Sequence, residues 1–258
     1  MILHAVEMGE GAPVVVLHGL LGQARNFGAV QRRIAGGRRV IALDLRNHGA
    51  SPHGMGMTYP EMALDVAETL AGLGVGACAV IGHSMGGKVA MMLALTRPDL
   101  VARLLVADIA PVPSPPRFAP IIAAMRGLDL RDGMTRGEAD AALAGAVPEA
   151  GMRGFLLQNM RFGGVPAWKC GLEEIAAGLG EVLDWPAVAG RYEGPALFLG
   201  GARSDYIRAE DRGVIKELFP RARMAVLRDA GHWLHADNPE GFVAVVEAFL
   251  GGVRIFIS

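Results

Sequence analysis

The chain has few of the residues that mark several classes of protein. Its only cysteines are Cys78 and Cys170, far apart in 258 residues, so a disulfide framework is excluded and a reducing, cytoplasmic location is expected. No apolar run reaches the ~18 residues that a membrane-spanning helix requires, and the first residues lack the pattern of a signal peptide. The formal net charge of −1 argues against nucleic acid or an anionic membrane as a partner.

Short apolar runs alternate with helical patterns over most of the chain. The runs are rich in β-branched residues, as buried parallel strands are. This alternation predicts an α/β fold with a doubly wound, mostly parallel sheet built by right-handed crossovers. The predicted strands are Ile2–Val6 at an edge, Pro13–Leu17, Arg39–Leu43, Ala77–Gly82, Val101–Ala107, Pro195–Leu199 and Met224–Leu227.

A proline-rich stretch, Pro111–Pro116, interrupts the alternation. It cannot continue a helix or an inner strand, and from residue 118 to about 185 only helical periodicity follows. We expect these helices to form a lid over the carboxyl ends of the strands, where open α/β sheets bind ligands. The predicted division is a core of residues 1–111 and 187–258 and a helical lid of residues 112–186. The pattern predicts no position for the tail, residues 251–258.

The stretch Gly82-His83-Ser84-Met85-Gly86 separates a predicted strand from a predicted helix. A serine at such a turn must adopt a strained backbone, and a glycine two residues away on either side removes the clashes that would forbid it. This geometry lifts the Ser84 hydroxyl above the sheet edge. It also directs the N–H of Met85, at the start of a helix, toward any oxygen on the attacked carbon. The motif therefore predicts a nucleophilic serine.

A serine nucleophile needs a base, and His232 is the favoured candidate. It follows the last predicted strand and precedes the last helix, so its loop reaches the same edge of the sheet as Ser84. An imidazole there can take the hydroxyl proton and later protonate the leaving group. His235, three residues on, is the competing candidate. A metal site built on these two histidines and Asp237 lacks a further partner at a recognisable spacing elsewhere in the sequence, so no metal is expected.

With these features, the chain resembles an α/β-hydrolase from end to end: His18-Gly19 follows a strand, and Gly231-His232 comes late. Within that superfamily it is similar to the small bacterial carboxylesterase and acyl-thioesterase branch, which includes the abhydrolase-domain group. The resemblance implies an oxyanion hole formed by the N–H groups of Leu20 and Met85, and it implies that no cofactor is needed. The runs that carry the branch similarity are Asp44–His53, Gly82–Lys88 and Asp108–Pro111.

Two aspartates compete for the acid of a catalytic triad. Many α/β-hydrolases place it after the strand predicted at Pro195–Leu199, but there this chain has Ser204, with Asp205 one residue later. The branch that it resembles uses an aspartate after the preceding strand, which is Asp108. We favour Asp108 and keep Asp205 as the alternative, because both strand ends open on the face that positions a triad.

The predicted lid offers apolar side chains for a substrate pocket. They could line an acyl pocket or pack the lid onto the sheet, and Lys88 is expected to be solvated or paired. The candidate pocket residues are Phe118, Met125, Phe155, Phe162 and Trp168, with Trp233 beside the base.

Together these residues predict a serine hydrolase that cleaves a small-molecule ester or acyl thioester through an acyl-enzyme. The same fold and triad would also serve a cofactor-free haloperoxidase, a lactonase or a C–C hydrolase. A ligand-binding protein that retains the serine turn without turnover is the alternative outside enzymes. The pattern predicts no acyl chain length, leaving group or oligomeric state.

Overall fold

Seven strands form one sheet in the computed structural model, which describes residues 1–251. Their bounds lie within a few residues of those expected from the apolar runs. The strands of this sheet are β1 (Ala5–Met8), β2 (Ala12–Leu17), β3 (Arg38–Leu43), β4 (Cys78–His83), β5 (Val101–Ala107), β8 (Ala196–Gly201) and β9 (Ala222–Leu227), and a separate two-stranded sheet contains β6 (Met160–Arg161) and β7 (Ala167–Trp168).

The strand order across the sheet is β1-β3-β2-β4-β5-β8-β9. Only the edge strand β1 runs antiparallel to its neighbour; the other pairs in this sheet are parallel. The order reverses between β2 and β4, where Leu17 lies beside Gly82. Open α/β sheets bind ligands outside the carboxyl ends of the strands at such a reversal. The predicted doubly wound, mostly parallel fold is confirmed.

Helices cover both faces of this sheet, and five of them lie in the segment between β5 and β8. Thr58 and Glu61 form the reciprocal hydrogen bonds of a capping box at the start of the second helix, as their spacing indicates. The helices are α1 (Gly28–Ile34), α2 (Tyr59–Gly72), α3 (Met85–Thr96), α4 (Ala119–Arg126), α5 (Arg136–Leu143), α6 (Ala150–Leu156), α7 (Leu172–Ala177), α8 (Leu179–Leu183), α9 (Arg212–Leu218), α10 (Leu234–Asp237) and α11 (Pro239–Leu250).

Successive residues of the inner strands point to opposite faces of the sheet, which gives two hydrophobic cores. Val14 and Val16 pack on the face covered by α1 and α11. Val15 and Leu17 pack on the other face, with α2, α3 and apolar residues of the inserted segment (residues 112–186). The inserted segment therefore continues the core of one face only.

The inserted segment differs from its expected all-helical form. Met160 pairs with Trp168 and Arg161 with Ala167 in the antiparallel β6–β7 hairpin, which is too short to produce a strand pattern in the sequence. The chain reaches Gly251 at the end of the last helix, and residues 252–258 of the unplaced tail lie outside the described residues. Within residues 1–251, no helix combines the length and apolar character needed to cross a bilayer.

Candidate active site

Ser84 occupies a sharp turn between β4 and α3. Its backbone has φ 53° and ψ −122°, a combination that costs on the order of 1–3 kcal/mol for a residue with a side chain. The Ser84 N–H donates to the carbonyl of Ala107 at 3.0 Å, and the Gly87 N–H donates to the carbonyl of Ser84 at 2.8 Å. A Cβ on Gly82 would overlap the backbone of Gly86, so the turn needs glycine there. The strand, strained serine and helix that the motif predicts are all present.

His232 lies between Ser84 and Asp108. Its Nε2 is 3.0 Å from Ser84 Oγ, and its Nδ1 is 2.7 Å from Asp108 Oδ2. Because an ionised carboxylate only accepts hydrogen bonds, Nδ1–H donates to Asp108 and Nε2 is left to accept from the serine hydroxyl. The three side chains follow β4, β5 and β9, so the sheet brings together residues as far as 148 positions apart.

Asp108, and not Asp205, contacts the histidine. Asp108 is fully buried; its Oδ1 accepts from the N–H of Gly201 at 2.9 Å, and the hydroxyl of Ser204 donates to Oδ2. The exposed Asp205 forms a two-pronged ion pair with Arg117, which lowers the pKa of that carboxyl. The structure thus brings Asp108 and Ser204 to the histidine and places Asp205 on the surface.

Two aromatic neighbours hold His232 in place. The ring of Tyr206 stacks on it, with centroids 3.9 Å apart and planes inclined by 20°. His83 Nε2–H donates to the carbonyl of His232 at 2.7 Å. Burial is the main cause that lowers the pKa of His83 well below its usual value, so this ring stays neutral. Since His83 directly precedes Ser84, this bond ties the two halves of the site together.

His235, the competing base, is half-buried beside the site. Its ring stacks on Phe27 with centroids 4.2 Å apart, and its Nδ1 has no hydrogen-bond partner among residues 1–251. Burial lowers the pKa of His235 to about 4, so the ring holds a proton poorly near neutral pH. It is His232 that the structure brings to the Ser84 hydroxyl.

The loop after β2 carries Leu20. Hydrogen bonds to the N–H and to the carbonyl of the next residue, Leu21, hold this loop in place. His48 Nε2 accepts from the N–H of Leu21 at 3.0 Å, and Asn159 Nδ2–H of the inserted segment donates to the carbonyl of Leu21 at 2.7 Å. Leu21 has φ 60°, a left-handed conformation that these bonds hold in place. Burial lowers the pKa of His48 to about 3, so Nε2 remains free to accept.

Met85 supplies the first N–H of α3, which has no partner within the helix and lies at the positive end of the helix dipole. Leu20, Ser84 and Met85 line one cavity. The two residues expected to form an oxyanion hole are therefore on the walls of the same space as the serine.

Comparison with known proteins adds a family to this geometry. Residues 14–245 match the alpha/beta hydrolase family. The chain belongs to this family. It is 44% identical over 249 residues to the sn-1-specific diacylglycerol lipase ABHD11 of Xenopus laevis, covering 93% of this chain and 80% of the relative. It is 33% identical over 242 residues to the esterase YbfF of Escherichia coli, covering 93% and 94%.

A solved structure described as a marine microorganism esterase superposes with a TM-score of 0.93 and is 35% identical, covering 96% of this chain and 99% of the other. The predicted resemblance to α/β hydrolases is confirmed, and the chain is a hydrolase.

In this hydrolase two cavities open beside Ser84. The histidine-side cavity is lined by Leu20, Ser84, Phe118, Phe155, His232 and Trp233, among others. The lysine-side cavity shares Leu20, Ser84 and Phe118 and is lined further by Met85, Lys88 and Tyr206, among others.

The candidate pocket residues separate into two groups. Phe118, Phe155 and Trp233 line the cavities beside Ser84. Met125 and Trp168 line a different groove. Phe162 packs against the hydrophobic core on the face of the sheet that the inserted segment covers. Apolar residues at helical spacing serve packing as readily as binding, and the sequence alone does not distinguish the two.

Lys88 was expected to be solvated or paired, and in the hydrolase it is buried and paired with backbone carbonyls. Its side chain belongs to the second turn of α3 and is 1% exposed. Nζ–H groups donate to the carbonyls of Asp184 at 2.9 Å and Leu183 at 3.4 Å. Lysine is almost never fully buried without a partner, and here the partners come from the inserted segment, about 95 residues away in the chain.

Sequence reasoning also missed the supporting residues Tyr206, His83, His48 and Asn159. Of these, His48 and His83 carried a signal, since they lie in the runs Asp44–His53 and Gly82–Lys88 that carry the branch similarity. The others act through contacts between distant parts of the chain.

Proposed function

We propose that this hydrolase cleaves carboxylic esters or acyl thioesters through an acyl-enzyme, with Ser84, His232 and Asp108 as its catalytic triad. The observation that carries the proposal is the continuous hydrogen-bond path from Ser84 Oγ to His232 Nε2, at 3.0 Å, and from Nδ1 to Asp108 at 2.7 Å. The relatives named esterase and lipase support ester substrates. Thioesters follow from the same acyl-transfer chemistry.

In the first step, Ser84 Oγ attacks the acyl carbon while its proton passes to His232 Nε2. Asp108 accepts from Nδ1–H throughout, which fixes the tautomer and stabilises the imidazolium that forms. The imidazolium then gives its proton to the departing alcohol or thiol, and the acyl group remains bonded to Oγ.

In the second step, His232 takes a proton from water, and the resulting hydroxide equivalent attacks the acyl-enzyme. Collapse of the second tetrahedral intermediate releases the carboxylic acid and returns the proton to Ser84. The overall change is ester plus water to acid plus alcohol.

The N–H groups of Leu20 and Met85 act as the oxyanion hole. Fixed donors of this kind stabilise the negative oxygen of both tetrahedral intermediates, and removal of one typically costs about 10²–10³ in turnover. His48 and Asn159 hold the first donor through Leu21, and the backbone of Ser84 sets the position of the second.

The two cavities divide the substrate between them. The leaving group must lie within reach of His232 Nε2, which protonates it, and His232 lines the histidine-side cavity. The acyl chain then extends the other way, into the lysine-side cavity beside Met85. We assign the lid role to residues 112–186, because Phe118 and Phe155 of this segment line the cavities beside Ser84 and Asn159 donates to the carbonyl of Leu21, in the loop that carries Leu20.

Labelling with a fluorophosphonate tests the proposal directly. The wild-type protein should be labelled at Ser84, and Ser84→Ala should abolish both labelling and hydrolysis of p-nitrophenyl esters. Ser114→Ala is the matched control, since this serine also lines the lysine-side cavity; it should still be labelled. Persistent labelling of Ser84→Ala would refute the assignment of the nucleophile. A series of acyl p-nitrophenyl esters and acyl-CoA thioesters then defines the preferred acyl chain.

A further inference from the structure

Lys88 is a basic residue in the lining of a cavity that opens on the proposed nucleophile. It lies four residues after Ser84 on α3, one turn or about 6 Å along the axis, and it lines the same lysine-side cavity. The other lining side chains are neutral: apolar residues, the hydroxyls of Ser84 and Ser114, and the phenols of Tyr59 and Tyr206. Among the described residues that line this cavity, Lys88 is therefore the only one with a formal charge.

This ammonium has no carboxylate partner at salt-bridge distance within the described part of the chain. The Asp184 carboxylate is close enough to oppose the fall in the pKa of Lys88, but its Oδ1 accepts from the N–H of Trp185 at 2.8 Å. The ring of Tyr59 lies 5.4 Å from Nζ, and its hydroxyl donates to the carbonyl of Val182. Burial of a charge without a counter-ion is unfavourable.

The hydrogen bonds of Lys88 leave capacity for one more acceptor. An ammonium has three donors; one bond here is 2.9 Å long and a second is a long 3.4 Å. Burial lowers the pKa of Lys88 to about 8, so the group is still mainly charged at pH 7. A negative group in the cavity would supply the third acceptor and a counter-charge in direct contact with the ammonium.

We propose that the lysine-side cavity receives acyl groups that end in a carboxylate, and that Lys88 is the specificity-determining residue that binds this carboxylate. The inference rests on the proposed function, and it narrows the substrate class to monoesters of dicarboxylic acids. A charge-assisted hydrogen bond in a partly desolvated site favours such a substrate by roughly ten- to a hundredfold.

The test compares the monomethyl and dimethyl esters of succinic, adipic and suberic acids, which differ at each length by one charge. Methanol release gives kcat/KM for both esters of a pair. Wild-type protein should prefer the monoester at one or more lengths, and Lys88→Met should lower the monoester-to-diester ratio by roughly ten- to a hundredfold. An unchanged ratio in a folded Lys88→Met protein would overturn the proposal.

Lys216→Met is the matched control, because Lys216 Nζ also donates to two backbone carbonyls, those of Pro220 and Ala222, away from the cavities. Its ratio should equal that of the wild type. If Lys88→Met does not fold, the pH dependence of the wild-type protein provides the test. The preference for the monoester should fall as the pH rises through about 8, where Lys88 loses its charge. The diester rate, measured at each pH, corrects for the pH dependence of the hydrolysis itself. A constant ratio from pH 6.5 to 9, or a diester preference at every length, would count against Lys88.

Failure of the further inference is distinguishable from failure of the proposed function. Hydrolysis of the diesters that depends on Ser84, without a monoester preference, removes only the role of Lys88. If no ester is hydrolysed, protection of Ser84 from fluorophosphonate by adipate still reports carboxylate binding. Protection that is lost in Lys88→Met supports the proposal, and the absence of protection in the wild type overturns it.

Discussion

Replacement of Asp108 by asparagine perturbs the proposed triad without changing its shape. Asp108 accepts from the N–H of Gly201 on one oxygen and from His232 and Ser204 on the other. In the lower-energy orientation, the asparagine oxygen faces Gly201 and its NH₂ group faces the imidazole. His232 must then accept at Nδ1 and carry its proton on Nε2, so it no longer accepts from Ser84.

The opposite orientation of the asparagine amide is worse. Its NH₂ group would meet the N–H of Gly201 in a fully buried position, and an unsatisfied buried donor costs about 1–3 kcal/mol. The wrong tautomer therefore predominates. Loss of the triad carboxylate in this manner lowers turnover by about 10⁴-fold, or about 5 kcal/mol in the barrier. Ser204→Ala removes one of the bonds to Asp108 and should cost roughly tenfold.

Hydrolysis of p-nitrophenyl butyrate measures the effect, after circular dichroism has shown that each variant is folded. Asp205→Asn is the control, because it removes a carboxylate of the same charge from an exposed ion pair with Arg117, and it should retain most of the activity. A folded Asp108→Asn protein with near-normal turnover, beside an inactive Asp205→Asn protein, would refute the reasoning and assign the acid role to Asp205.

The other predictions concern the proposed base and the loop that carries Leu20. His232→Ala should reduce turnover nearly as far as loss of the serine, since the two act as one unit, whereas His235→Ala should cost far less; the reverse order in steady-state assays would contradict the assignment of the base. Asn159→Ala removes the hydrogen bond to the carbonyl of Leu21 and should lower kcat roughly tenfold with a smaller change in KM. A change in KM alone would show that Asn159 contributes to binding only.

The sheet and the serine turn were predictable because their signals are local. Short, mostly apolar runs that contain valine define β2 and β5, and the glycines on either side of Ser84 are needed for contacts within the turn itself. The choice of Asp108 over Asp205 rested on the resemblance, because the contact between Asp108 and His232 spans 124 residues. No local pattern reports which of two strand ends points inward.

The inserted segment was less predictable for the same physical reason. β6 and β7 are two residues long, so their pairing leaves no periodicity. Met125 and Phe118 belong to the same apolar helical stretch, yet Met125 lines a different groove and Phe118 lines both cavities beside Ser84. The sequence did not decide between a solvated and a paired Lys88, because its partners are backbone carbonyls, which have no signature in the sequence.

The neutral histidines around the site link its architecture to the acid stability of the protein. The pKa of His48 is about 3 and that of His235 about 4, against an ordinary value of 6.5. Below pH 6.5 the unfolded chain therefore binds protons at these histidines that the folded chain does not bind. The free energy of unfolding decreases as the pH falls. By pH 4 each of these two rings costs about 3 kcal/mol, against a typical total of about 5–15 kcal/mol.

Urea unfolding at pH 7 and pH 4.5 should show this loss, and His235→Phe should reduce it by fitting an uncharged ring against Phe27. An equal loss of unfolding free energy between pH 7 and pH 4.5 in the variant would mean that other groups control the stability at acidic pH. The same histidine rings that shape the site therefore also limit the pH range in which the protein stays folded. A variant of this enzyme that stays folded at acidic pH would first need changes at His48 and His235, before any change at the proposed triad.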